Sequence, residues 1–217
     1  MAPPTMCVSF TRLLPNSVND AHRFLRSRRS VRRFEPQPVP RATLHRILET
    51  ATYAPSAHHR QHWRFVVLET PEAKTRLADA MGAEFERDLT VDGLNLADMQ
   101  AQVARSRNRI LGAPVAIVLC FDSSVGDDYA DADRQRAEWL MGAQSAALAG
   151  LQLLQAAHAE GLGGVWTCGP LFAPEAVRRA LGIPSRWEPQ ALMLIGHPAQ
   201  IPAPRLRKPV EEVTVFL

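Results

Sequence analysis

Six arginines fall within eleven residues, Arg23, Arg26, Arg28, Arg29, Arg32 and Arg33, around Ser30 in the stretch RSRRSVRRF. The whole chain carries a formal charge of +3, so removing those six leaves −3 for everything else, and the positive charge is local. Arg28, Ser30 and Arg32 stand at alternate positions. In an extended segment they share one face, which suits a phosphate and a polyol, because guanidinium forks match a phosphate better than lysine point charges do. A solvated basic arm is the plain alternative. A nucleic-acid surface would need further basic stripes with interleaved aromatics, which the net-acidic remainder lacks.

Three further clusters could do chemistry. The run Ala54-Pro55-Ser56-Ala57-His58-His59-Arg60-Gln61-His62-Trp63 places three histidines within five residues. No carboxylate or cysteine stands beside them, so no metal is expected there. A donor-rich turn entering a strand can instead hold a planar ligand. The segment GLGGVWTCG, Gly161 to Gly169, has four glycines that let backbone approach a ligand closely, or that simply serve a turn. It follows a helix and precedes a strand, the reverse of the order in a dinucleotide-binding βαβ unit. Arg205-Leu206-Arg207-Lys208-Pro209 is either a basic tail or the completion of the anion site.

The elements that position these clusters follow from periodicity and caps. Leu44, Ile47, Leu48 and Ala51 recur at helical spacing and predict a helix ending near Pro55. WRFVVLE predicts a strand from Trp63, and Thr70-Pro71 opens a helix over 71–82. The acidic stretch ERDLTVDGL reads as a loop, followed by a helix over 94–111 and a buried strand at APVAIVLCF. Residues 132–159 give the longest helix, alanine-rich and apolar on most sides, with Gly161 as its glycine stop and a place at a subunit interface expected. GVWTC and ALMLIGH predict strands around a short helix at PEAVRRAL, and the tail ends in a β-like segment.

Length and composition bound the rest. A chain of 217 residues, 46% hydrophobic and 22% charged, fits one globular domain over 21–217 with a C-terminal arm, behind an N-terminal extension at 1–20. No apolar run reaches the ~20 residues of a membrane span, and the first twenty lack the features of a signal peptide. Cys7, Cys120 and Cys168 are odd in number and far apart, so a reducing cytoplasm is expected rather than a disulfide framework.

Taken in order, RRSVRRF, APSxxxRQxWRF, GLGGVWTCG and RLRKPVEEV resemble the FMN-dependent nitroreductase family from about residue 25 to the C-terminus. The resemblance implies an α+β fold with a central, mostly antiparallel sheet flanked by helices. It also implies an intertwined homodimer with FMN at the interface. By that likeness Arg28, Arg29, Ser30, Val31 and Arg32 hold the phosphate, ribityl chain and pyrimidine edge, and Arg205 and Arg207 return to the phosphate. Pro55 and Ser56 line the isoalloxazine from the facing subunit, and the backbone at Thr167, Cys168 and Gly169 approaches flavin N5. A fixed guanidinium such as Arg32 would favour the reduced flavin, which is anionic at its N1/O2 edge.

A finer likeness is to the C-terminal FMN- and F420-binding domain of bacterial coenzyme F420:L-glutamate ligase. It rests on the histidines after Ala54-Pro55, on ERDLTVDGL, on Val103-Ala104-Arg105 and on Trp187-Glu188-Pro189. It implies reduction of dehydro-F420-0 to F420-0 by hydride transfer from reduced FMN, in a chain without the glutamate-ligating domain. His58 and His59 would be candidate proton donors, and Asp88 would either contact the deazaflavin or cap a helix or loop. A general NAD(P)H-dependent nitro- or quinone reductase and an F420-binding partner of a separate ligase are the alternatives.

Overall fold

The computed structural model describes residues 17–217; Cys7 and most of the predicted extension lie outside them. Helix α1 (Val18–Ser27) is followed by α2 (Arg41–Ala51), strand β1 (Trp63–Leu68), α3 (Pro71–Val91), α4 (Leu96–Leu111) and β2 (Val115–Asp122). The long α5 (Ala132–Ala159) leads to β3 (Gly163–Thr167), the short α6 (Gly169–Phe172), α7 (Pro174–Leu181) and β4 (Trp187–Gly196). The four strands form one antiparallel sheet in the order β1-β2-β4-β3, flanked by helices, as the expected α+β fold requires.

The sheet is buried on both sides, which is why β2 and β4 read as unbroken apolar runs. Ile117, Leu119 and Phe121 of β2 join Met193 and Ile195 of β4 in a core under α2 and α5. The intervening Ala116, Val118 and Cys120 join Leu192 and Leu194 in a second core under α3 and α7. Helix α5 lies close on the sheet because of its glycines: a Cβ at Gly142 would stand 2.8 Å from Phe121, and one at Gly150 would strike Trp166. Its other side is not covered. Leu140, Leu148 and Leu151 are exposed, spaced eight and three residues apart on one stripe.

Three expectations need correction. ERDLTVDGL is not a loop: Glu86–Val91 are the last turns of α3, which runs nine residues past the predicted end at 82. Gly82 costs about 1 kcal/mol inside a helix, but it packs against Val103 of α4, and Leu77, Ala78, Met81 and Leu89 keep one buried face going. The helix stops only where Gly93 turns left-handed, at φ 76°. Second, α1 takes Val18 to Asp20 from the predicted extension, capped by the Ser17 side chain on the Asp20 N–H. Third, the tail holds no strand; its one regular piece is a 3-10 turn at Val210–Glu212, and it pairs with neither edge of the sheet.

Candidate functional site

The arginine segment and the glycine-rich segment meet. Leaving α1, the chain runs extended along the outer edge of β3: the Val31 N–H donates to Gly164 O at 3.1 Å, and Ser30 bridges Gly164 in parallel sense. Further on, the Glu35 N–H donates to His197 O at 2.9 Å and the Ala199 N–H to Arg33 O at 3.0 Å. Val31 is buried against Gly163, where a Cβ would stand 2.7 Å from Val31 Cβ. Any side chain at 163 would push the segment off the sheet. With Val31 turned inward, its neighbours Ser30 and Arg32 face out, as the alternation predicts.

A cleft of about 220 Å³ opens here, walled by Arg28, Arg29, Val31, Gly163, Gly164 and His158. Arg29 donates to the carbonyls of Arg26 and Arg28 at 2.7 and 3.0 Å, and Arg32 to Ser30 O at 3.4 Å. Among the described residues none of Arg26, Arg28, Arg29 and Arg32 pairs with a carboxylate, whereas Arg23 is spent on Asp20. His158 touches Ser27 Oγ at 2.6 Å and stacks on Phe24. Burial pushes its imidazole below the ordinary value, and the nearby charges of Arg28 and Arg29 push it further, so it is neutral at pH 7.

The histidine turn is built differently. Ser56 Oγ accepts the Gln61 N–H at 3.0 Å, Ser145 Oγ of α5 accepts the Ala57 N–H at 3.3 Å, and His58, His59 and Gln61 all hold left-handed φ values of 51°, 56° and 54°. Arg60 ties the turn to Val125 O at 2.8 Å and to Asp127 at 2.6 Å. Pro55, His58 and His59 are left exposed, and His59 Nε2 meets only Gln61 Nε2, at 3.0 Å. The turn is anchored at Ser145 and the arginine segment at His158, thirteen residues apart on α5 and so about 20 Å along its axis. Within one chain the two clusters stand at different ends of the same helix.

The third locus lies at the C-terminal end of β3, where the chain meets α3. Thr167 is fixed by its hydroxyl on Leu192 O at 2.9 Å, and the Trp166 indole N–H donates to Cys168 Sγ at 3.3 Å. Cys168 and Gly169 then open onto a cleft of about 460 Å³ whose other wall is α3, including Asp88. Asp88 is thus helical, its carbonyl accepting the Asp92 N–H at 2.9 Å, and its side chain borders the cleft. Arg205 and Arg207 are not brought to the arginine segment: they lie on the exposed tail, with Arg207 donating only to the Arg205 and Leu206 carbonyls.

Sequence patterns did not reveal a buried pair behind the histidine turn. His62 is 1% and Glu138 4% exposed, and neither side chain has a hydrogen-bond partner among the described residues. Both line a cavity of about 30 Å³ with Ser123 and Gln135, the size of a single water. Burial lowers the His62 pKa; Glu138 opposes this, and Arg60 and Arg64 reinforce it. The only signal was a histidine abutting an apolar strand. Among the described residues no three His, Cys, Asp or Glu side chains gather as a metal set, and no helix is long and apolar enough to cross a membrane.

Known proteins share this fold and much of this sequence. The model of the nitroreductase family matches residues 25–197. An NADH dehydrogenase of Thermus thermophilus is 34% identical over 209 residues, covering 92% of this chain and 97% of the relative. A nitroreductase from Desulfovibrio desulfuricans, solved in complex with FMN, superposes with a TM-score of 0.70 at 26% identity, over 93% of this chain and 98% of that one. Nitroreductase A from Vibrio parahaemolyticus gives 0.72 at 25% identity, over 92% and 76%. The chain belongs to the nitroreductase family of oxidoreductases.

Proposed function

We propose that the protein is an FMN-dependent NAD(P)H oxidoreductase acting as a homodimer, with each flavin held between the arginine segment of one subunit and the histidine turn of the other. The observation that carries this is the row of unpaired guanidiniums pinned by backbone bonds to the glycine-rich start of β3. The cleft fits part of FMN. Its charge suits a phosphate, its glycines admit close approach, and about 220 Å³ falls below the ~300–1,000 Å³ of a site that encloses a ligand. One chain therefore supplies half a cradle. The exposed stripe on α5, the bare edge of β1 and a tail exposing Val213, Val215 and Phe216 supply surface for a second copy.

Bound FMN supplies two-electron chemistry, so that NAD(P)H, a proton and a quinone become NAD(P)⁺ and a hydroquinone. The chain's own part is to hold and to exclude. Arg28 and Arg29 neutralise the phosphate, Arg32 favours negative charge on the flavin's pyrimidine edge, Val31 and Gly163 fix their spacing, and Pro55 and Ser56 cover the ring from the facing subunit. His58 and His59 stand exposed on the rim of that turn, within reach of a bound acceptor rather than of the phosphate.

Reduction of dehydro-F420-0 is a second reading. It rests on the likeness at the histidine turn and around Asp88, a residue that borders the same cleft as Cys168 and Gly169. Purification tests both readings: a yellow dimer that releases FMN on denaturation and bleaches anaerobically with NADH or NADPH is expected. A colourless protein that takes up no FMN would overturn them. Turnover of dehydro-F420-0 faster than of quinones would select the second.

A further inference from the structure

The 460 Å³ cleft beside Cys168 and Gly169 has a floor and walls of two kinds. Met81, Leu89 and the rings of Phe85 and Phe172 make it apolar, and Gly169 lies so close to α3 that a Cβ there would stand 2.5 Å from Met81 Cε. Such a wall takes a flat hydrocarbon or heteroaromatic body, and the volume matches a small-molecule site. Its ionisable groups are all of one sign: Glu84, Asp88 and Asp92, with no lysine, arginine or histidine lining it among the described residues. Arg87 offsets part of this charge from outside the wall, at 2.5 Å from Glu84 and 3.5 Å from Asp88. Asp92 has no ion pair among the described residues.

From this we infer that the cleft is an acceptor site whose carboxylates, chiefly Asp88 and Asp92, select neutral or cationic aromatic molecules and reject carboxylates, sulfonates and phosphates. The inference rests on the flavin reading for the word acceptor; the charge filter itself is a property of α3. An anionic ligand entering here loses water without gaining a cation, while an aromatic cation gains both the carboxylates and the exposed face of Phe172, a ring that is 74% exposed. An acceptor whose reacting group is itself anionic, as the phosphoenolpyruvyl group of dehydro-F420-0 is, meets the same repulsion.

The test uses the purified flavin-loaded protein and matched pairs of probes. Calorimetry with 4-methylbenzyltrimethylammonium and with 4-methylbenzoate should show the cation binding roughly tenfold tighter or more at low salt, with the gap closing as ionic strength rises. In turnover, 1,4-naphthoquinone should exceed its 2-sulfonate in kcat/KM, and the double variant Asp88→Asn, Asp92→Asn should narrow that ratio severalfold. The salt titration of the unaltered protein keeps the idea testable if the variant does not fold. Equal binding of the two ions, or a quinone ratio unmoved by salt and by the variant, would overturn it. Absence of flavin would sink the oxidoreductase reading alone, because the calorimetric pair still reads the filter.

Discussion

The arginine segment and the histidine turn are both loops that present polar groups to a ligand, yet they are held in opposite ways. Residues 30–35 are fixed by main-chain hydrogen bonds to β3 and to the end of β4, and by Val31 sunk against a glycine. Residues 55–62 make few such bonds outward; side chains of Ser56, Arg60 and Ser145 clamp them, and His58, His59 and Gln61, on either side of a right-handed Arg60, bear the strain of positive φ. The backbone-held segment leaves its side chains free for the ligand. The side-chain-held turn has used its own and offers mainly the surface of Pro55 and the rim imidazoles. The difference, with some 20 Å of α5 between them, makes one half a charge clamp and the other a cover, joined only when two copies meet.

Breaking the junction should have the largest effect. Leu148→Glu with Leu151→Glu would bury two carboxylates in the proposed interface, and association should weaken on the order of 100-fold or more, with flavin lost in parallel. Size measurement at fixed concentration and bound-flavin absorbance check it. A monomer that keeps its flavin would break the comparison, because one half would then suffice. Removing the clamp comes next: Arg28→Ala forfeits charge-assisted bonds to the phosphate and should weaken FMN roughly 10- to 100-fold while leaving the dimer intact, as read by fluorescence titration.

A smaller effect sharpens the cover side. His62 lies at the base of the turn with its pKa held below the ordinary 6.5 by burial, so the unfolded chain takes up the proton first. Stability is then unaffected above that value and falls as pH drops below it. His62→Gln should flatten part of that slope in denaturant melts run across pH, and His158, also depressed, contributes to the slope that remains. An unchanged profile would mean that Glu138 offsets the burial, so that His62 binds its proton equally well in the folded and unfolded chain.

How much of this was legible beforehand depends on what each residue answers to. The four strands of the sheet and α5 were read correctly because both cores are built from continuous apolar runs, while the apolar end of the tail, which pairs with nothing in this chain, misled. The coincidence of arginine and glycine clusters was anticipated through family likeness; its cause, the lack of room at Gly163, is visible only in three dimensions. Asp88 was placed in a loop because Gly82 and the acidic residues after it resemble a break, whereas packing on α4 carries the helix through. Glu138 looked like any charged residue on the polar start of a long helix, and only the fold shows it buried at the cavity it shares with His62.

The central claim is that each flavin site draws its clamp and its cover from different chains. Co-expression of an Arg28→Glu chain with a differently tagged Pro55→Trp chain, followed by isolation of the mixed dimer, tests it most directly. Each variant alone should bind little FMN. The mixed dimer has one site with both halves intact and one with both halves altered, so it should bind one FMN per two chains. A mixed dimer as empty as its parents would show that both halves come from the same chain, and would contradict the account.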